Sequence, residues 1–288
     1  AASDVYKRQL LNAIIGEKIA SVSPKPQTTR TRITGIKTIG ETQMVFMDTP
    51  GLHKPTTKLS DHMLKAVRDA VSDIDAVLFV QDCTKPLSQQ EEELLGSLER
   101  AKTPVILVLN KIDLCSDKTK LMQAIASLNA AHTFAATVPV SVTENDGVDL
   151  VEQEVMALAQ PAPHYFPDEK FTDQPERVLA AEMIREKILN LLRDEVPHGI
   201  AVSIERMKER DDKDLLDIDA TIYCERESHK GILIGRHGTM LRKIATLARK
   251  DLERFFYIQV NLQCWVKVKE DWRNKEGLIH NFGLDNPE

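Results

Sequence analysis

Two tetrapeptides carry the residue types needed to hold a purine nucleotide. Asp48-Thr49-Pro50-Gly51 closes an apolar run at 43–47, and Asn110-Lys111-Ile112-Asp113 closes another at 105–109. The Asp48 carboxylate is a hard oxygen donor suited to a magnesium ion, usually through water. Gly51 can bring a backbone N–H to a terminal phosphate, with Thr49, Pro50 and Leu52 in the same loop. Asn110 and Asp113 can read a guanine edge, while the Lys111 stem lies along the ring and Ile112 completes the turn. Adenine lacks the N1–H and 2-amino group that Asp113 would accept, so the pair selects the base. The order of the two, 59 positions from Gly51 to Asn110, suits a guanine-nucleotide-binding α/β domain.

Weaker signals surround these. Ser141 ends the run at 138–142, where a backbone N–H can meet the guanine carbonyl, although small polar residues after a strand also make ordinary turns. Residues 21–37 hold four basic side chains and no acid. A threonine about twenty residues before Asp48 can ligate magnesium only while a γ-phosphate is bound, which makes the segment a switch ordered by triphosphate. Thr29 is preferred over Thr28 for that role. Leu52 stands where some GTPases place a water-orienting Gln, so slow hydrolysis or another positioning group is expected.

A second chemistry is written near the C-terminus. Gly235-Arg236-His237-Gly238 is a GxxG loop between two helical segments. Its glycines let the backbone approach a phosphodiester, and the following helix start adds N–H donors. GxxG alone is common and reads equally as a helix–helix turn. Its surroundings favour nucleic acid: residues 225–254 hold eight Lys/Arg against four Asp/Glu. Lys230, Arg236, His237, Arg242 and Lys243 could meet phosphates. Ile232 and Ile234 could line an apolar groove for unpaired bases, as in a KH domain.

The elements that position these residues follow from periodicity. Apolar β-rich runs at 43–47, 75–80, 105–109 and 138–142 alternate with helical patterns at 59–71, 89–102, 118–128 and 148–159. That alternation predicts βαβ units and a mostly parallel sheet, with ligands at the carboxyl ends of the strands. The stretch PAPHYFP reads as a linker. A helix then begins with Asp173 as cap and Pro175 in its first turn. Strands at 199–206 and 216–225, the GxxG helices and a strand at 258–268 give the order α-β-β-α-α-β. The expected division is 1–160, 161–172 and 173–288.

Bulk properties exclude several classes. The net charge of −6 gives no global nucleic-acid signal, so RNA contact must be local. Cys83, Cys115, Cys224 and Cys264 form no CxxC, which favours a reducing compartment over a zinc site or disulfide frame. No apolar run is long enough to cross a membrane.

The segments PKPQTTRTRITGI, MDTPGLH, VLNKID, IREKILNLL, GILIGRHG and WVKVKEDW resemble, in order, those of the bacterial Era GTPases. The resemblance runs from about Leu10 to the C-terminus. It implies an α/β P-loop-type GTPase domain followed by an α+β type II KH domain, GTP or GDP with Mg2+, and GTP hydrolysis. It also implies binding to the 3′ end of small-subunit ribosomal RNA during assembly of the small ribosomal subunit. The expected setting is a cytoplasmic monomer with peripheral contact to the inner face of the membrane. One departure is plain. A strand and a GxxxxGK[ST] loop should precede Leu10-Leu11-Asn12, where this chain has AASDVYKRQ. Aligned on LLN, Lys7 falls at the motif lysine, Ala1 and Tyr6 at its glycines, and Arg8 at the magnesium-binding hydroxyl residue. This reads as a truncated or mis-joined start. It leaves a nucleotide-dead RNA-binding module as the alternative function, while the GxxG domain disfavours a GTPase that modifies tRNA.

Overall fold

The computed structural model describes residues 2–23, 33–48, 74–115, 117–192 and 196–282. The helix expected at 59–71, and Thr28, Thr29, Thr49, Pro50, Gly51 and Leu52, lie outside them. In the first half, β3 (Val77–Asp82), β4 (Val105–Asn110) and β5 (Ala136–Val140) pair in parallel with β4 central. All six residues of β4 are buried, as a parallel strand covered on both faces requires. On one face α2 (Gln89–Ala101) packs Leu95 and Leu98 against Phe79 and Leu107, with Leu128 of α3 (Lys118–Ala131) alongside. On the other, α1 (Ala2–Ile15) and α4 (Val148–Met156) bring Leu10, Ile14, Val148 and Val151 onto Ile106, Val108 and Val138. Helix α2 starts at a capping box in which Ser88 accepts from the Glu91 N–H and Glu91 answers to Ser88.

Register aligns the chemistry. Asp82 pairs with Asn110, and Asn110 with Val140, so Asp82, Asn110 and Ser141 end adjacent strands in a row. A separate antiparallel hairpin, β1 (Ile33–Ile39) with β2 (Thr42–Asp48), matches Ile33 to Asp48. Strand β1 was not anticipated. It takes residues 33–37 of the segment read as a switch, because pairing with β2 satisfies a backbone that sequence periodicity left ambiguous. Residues 2–9, aligned above with a phosphate loop, form one helix with residues 10–15.

The second half runs α5 (Glu176–Leu191), β6 (Ala201–Glu209), β7 (Leu215–Cys224), α6 (Glu227–Ile234), α7 (Thr239–Phe256), β8 (Gln259–Val268). Strand β7 is central, antiparallel to β6 and parallel to β8. Its Ile218, Ala220 and Ile222 meet Ile184 and Ile188 of α5 and Ile244, Ala248 and Leu252 of α7. The last three recur every four residues, the face a helix presents to a core. Asp173 does not cap α5: Pro175 holds the N-cap position with extended backbone, and Asp173 instead accepts from Gln174.

The halves are stitched together. Gln43 of β2 accepts from the Tyr165 and Phe166 N–H groups, and Thr172 donates its hydroxyl to the Thr34 carbonyl at 2.7 Å. The stretch read as a linker is therefore a strap along the hairpin. Gly35 lies under α1, where a Cβ would come within 2.8 Å of Leu11 Cδ1. Lys18 donates to Glu186 at 2.7 Å and to Asp251 at 2.6 Å, the latter carboxylate also accepting from Lys187. Glu186 accepts the Val22 N–H at 2.9 Å. Leu11, Ile19, Ala20 and Ile33 join the core of the second half.

Candidate functional site

At the carboxyl ends of β4 and β5 the predicted base-reading residues converge. The buried Asn110 side chain accepts the Lys111 N–H at 2.7 Å and the Val142 N–H at 3.2 Å, tying the two loops together. Lys111 takes left-handed backbone, φ 70°, which turns the chain into the single 3-10 turn Ile112–Leu114. Asp113 stands exposed on that turn, its Oδ1 accepting the Ser141 hydroxyl at 2.6 Å. The Ser141 backbone N–H is spent on the Asp146 carbonyl at 3.0 Å. With its N–H taken, Ser141 touches the site through its hydroxyl, which orients Asp113.

Asp82 was missed. It lies two residues past the apolar run read at 75–80, and only the pairing of β3 with β4 sets it beside Asn110. Lys111 Nζ donates to it at 2.9 Å and to Tyr6 Oη at 2.7 Å, and sits 3.9 Å from the Tyr6 ring centroid. Burial works against the Asp82 charge, but hydrogen bonds from Thr84 and Lys111 outweigh it and hold the carboxyl at about 2. Burial likewise opposes the Lys111 charge, and the bonds with Tyr6 and Asp82 reverse this, raising its pKa.

The phosphate end differs. Asp48, at the end of β2, is 9% exposed, and Arg8 Nε donates to its Oδ2 at 3.1 Å. Arg8 itself is 1% exposed and donates from Nη1 to the Ser21 carbonyl at 3.0 Å. Lys7 Nζ lies 4.0 Å from Asp48 Oδ1, beside the carboxylate rather than at the head of a phosphate loop. The guanine end thus fits the nucleotide. The magnesium end does not while Arg8 holds Asp48, because a guanidinium has no lone pair to offer a cation. Nothing in residues 1–9 could have announced this contact, since it depends on how α1 crosses the hairpin.

Beyond the core of the second half, α6 ends at Gly235, and Arg236–Gly238 forms a 3-10 turn into α7. Gly235 has φ 70° with Met240 Cβ only 2.8 Å from where its own Cβ would stand. His237 also has positive φ, 49°. Arg236, His237, Arg242 and Lys243 are exposed, as is Ile232, while Leu233 between the two isoleucines is buried. Lys230 lies 3.7 Å from Glu227 Oε2, so its charge is shared locally. The first N–H groups of an 18-residue helix face the loop at Gly238.

Comparisons with known proteins agree with both halves. Residues 4–111 match the family described as 50S ribosome-binding GTPase, and residues 195–273 match the KH domain family. The chain is 47% identical over 282 residues to GTPase Era of Clostridioides difficile (strain 630), covering 98% of this chain and 95% of that protein. It is 46% identical to GTPase Era of Ruminiclostridium cellulolyticum, covering 97% and 93%. A crystal structure of Era with MgGDPNP and nucleotides 1506–1542 of 16S ribosomal RNA superposes at a TM-score of 0.91 with 34% identity, covering 99% and 97%. A single-residue variant of Aquifex aeolicus Era bound to GDP.AlF4- superposes at 0.92 with 34% identity, covering 98% and 96%.

Proposed function

This chain belongs to the Era GTPase family, and from that membership we propose that it is a GTP-binding, GTP-hydrolysing factor of small ribosomal subunit assembly. Its second half takes the 3′ end of small-subunit ribosomal RNA, and its nucleotide works with Mg2+. The observation that carries the reading is the guanine end: an exposed Asp113 carboxylate oriented by Ser141, with Asn110 locking both loops. The related structures with MgGDPNP, GDP.AlF4- and 16S RNA nucleotides support the ligand, the ion and the RNA. The comparisons give no support to a nucleotide-dead module.

Residue roles are part of the proposal. Asn110, Lys111, Ile112, Asp113 and Ser141 hold the base. Asp48, Thr49, Pro50, Gly51 and Leu52 are assigned to the phosphates, with Lys7 as a further phosphate lysine. Thr29 and Asp48 are the metal-side residues, Asp48 only once Arg8 has withdrawn. Lys230, Ile232, Ile234, Gly235, Arg236, His237, Gly238, Arg242 and Lys243 bind RNA. The division into 1–160, 161–172 and 173–288 is retained as units of function, although the core crosses it. The same reading has the protein acting as a cytoplasmic monomer with peripheral contact to the inner membrane face; among the described residues, no helix is long and apolar enough to cross a membrane. Sedimentation and vesicle flotation check those two points. For the central claim, guanosine and adenosine triphosphates are titrated in parallel, followed by a single-stranded RNA ending in the small-subunit 3′ sequence. Equal affinity for the two nucleotides sinks the guanine reading, and absent RNA binding sinks the second half.

A further inference from the structure

Two of the four cysteines, 32 positions apart, meet beside the guanine-reading turn. The Cys83 and Cys115 sulfurs are 2.8 Å apart, and both residues are half-buried. Cys83 directly follows Asp82 at the end of β3; its N–H donates to the Asn110 carbonyl at 3.0 Å and its thiol to the Lys111 carbonyl at 3.3 Å. Cys115 closes the 3-10 turn that carries Asp113, its N–H donating to the Ile112 carbonyl at 3.0 Å. A disulfide requires the sulfurs at about 2.05 Å, so less than about an ångström of side-chain motion separates the dithiol from the bond. We infer that Cys83 and Cys115 form a reversible redox-modification site, closed to a disulfide by a peroxide, that pins the 110–115 turn to the end of β3.

The chemistry balances without further components. One of the two sulfurs, as thiolate, attacks one peroxide oxygen; the O–O bond breaks, hydroxide leaves, and that cysteine becomes a sulfenic acid. The other sulfur then attacks the oxidised one, the S–O bond breaks, and the hydroxyl departs with the attacking thiol's proton as water. Two thiols and one hydrogen peroxide give one disulfide and two waters. Burial, then the hydrogen bond with Cys115, push the Cys83 thiol up to about 12, with Asp82 and Asp113 adding to the effect.

The other two cysteines are not placed to do the same. Cys264 pairs in register with Ala220, four positions along β7 from Cys224, so no bond can join them. Cys224 is fully buried, and burial pushes the Cys264 thiol up to about 12. The bond would constrain a turn that is tied to β3 through Asn110. That turn must admit and release a base, so a covalent brace reaches the nucleotide site without touching ligand.

The test uses the full chain treated with dilute hydrogen peroxide, then alkylated under denaturing conditions. Expected are a mass lower by about 2 Da, two alkylatable thiols instead of four, a Cys83–Cys115 linked peptide, and full reversal by dithiothreitol. Hydrogen exchange of residues 110–115 should slow in the oxidised protein. Cys83→Ser and Cys115→Ser, near-isosteric changes at half-buried positions, should each lose no thiol to a disulfide and show no slowing. Four thiols retained after peroxide, a bond between other cysteines, a dimer, or unchanged exchange at 110–115 in the oxidised chain would each overturn the assignment.

Discussion

At the guanine end of the nucleotide site, Asn110, Asp113 and Ser141 satisfy one another across two neighbouring loops, whereas at the phosphate end Asp48 is satisfied by Arg8 from 40 positions away. Both ends use the same device, a strand that finishes on a polar side chain. The outcomes differ in what remains for a ligand. A hydroxyl on one Asp113 oxygen orients the carboxylate and leaves it exposed. A guanidinium on Asp48 neutralises it, and with both side chains buried the pair is hard to open from one side: removing one partner of a buried pair costs about 3–5 kcal/mol. Preorganisation by neutral neighbours keeps a site competent, while preorganisation by an opposite charge consumes it.

The contrast makes its largest demand on residues 1–9. Replacing them with a strand and GxPNVGKST should remove Arg8 from Asp48 and supply backbone N–H groups to the phosphates. Calorimetry should then show GTP·Mg2+ binding tighter by on the order of 1000-fold, the equivalent of about 4 kcal/mol. Equal affinity in the two versions would mean that the Arg8 pair costs the ligand nothing. Next in size is the opposite end. In that repaired version, Asp113→Asn should move preference from guanosine toward xanthosine triphosphate by on the order of 100-fold, since an amide donor suits the xanthine carbonyl. An unchanged preference removes Asp113 from base recognition and leaves the guanine end without its central group.

The GxxG loop supplies a third case, exposed side chains that no neighbouring acid among the described residues claims strongly. Arg236→Asp with His237→Asp should weaken single-stranded RNA binding on the order of tenfold at fixed salt. The melting temperature should hold, because both side chains face solvent. Affinity unchanged by one charge reversal and one added negative charge would break the assignment of this loop. The smallest effect concerns Asp82, the carboxylate that steadies Lys111. Its folded pKa, about 2, lies below the ordinary 3.8, so its stabilisation is complete above about pH 4 and drains away as pH falls toward 2. Melting of the parent and of Asp82→Asn should converge over that window. A constant difference between them down to pH 2 would show that the Asp82 charge contributes nothing.

Much of the site was legible in the sequence. Asp48 and Asn110 each followed an apolar run, with Asp113 three residues beyond Asn110; Asn110 ends a parallel strand, where ligands gather, whereas Asp48 ends a strand of an antiparallel hairpin. The paired glycines at 235 and 238 announced a loop, and the i, i+4 face of α7 announced the helix behind it. Strand β1 was less legible, because it exists through its pairing with β2 and a run with Thr, Gly and Lys does not alternate cleanly. The reading of Asp173 as a cap failed because Pro175 placed extended backbone directly before Glu176.

Sequence alone determined that Asp48 and Asn110 close their apolar runs, which loop carries the glycines, and the α-β-β-α-α-β order. These depend on periodicity and turn chemistry within a few residues. Tertiary structure alone decided that Arg8 closes on Asp48, that Lys18 bridges Glu186 and Asp251, and that Cys83 meets Cys115. Each of these joins side chains 32 to 233 positions apart. Their meeting is set by strand register and by the angle at which helices cross, quantities fixed by the packing of the whole core rather than by any local run of residues.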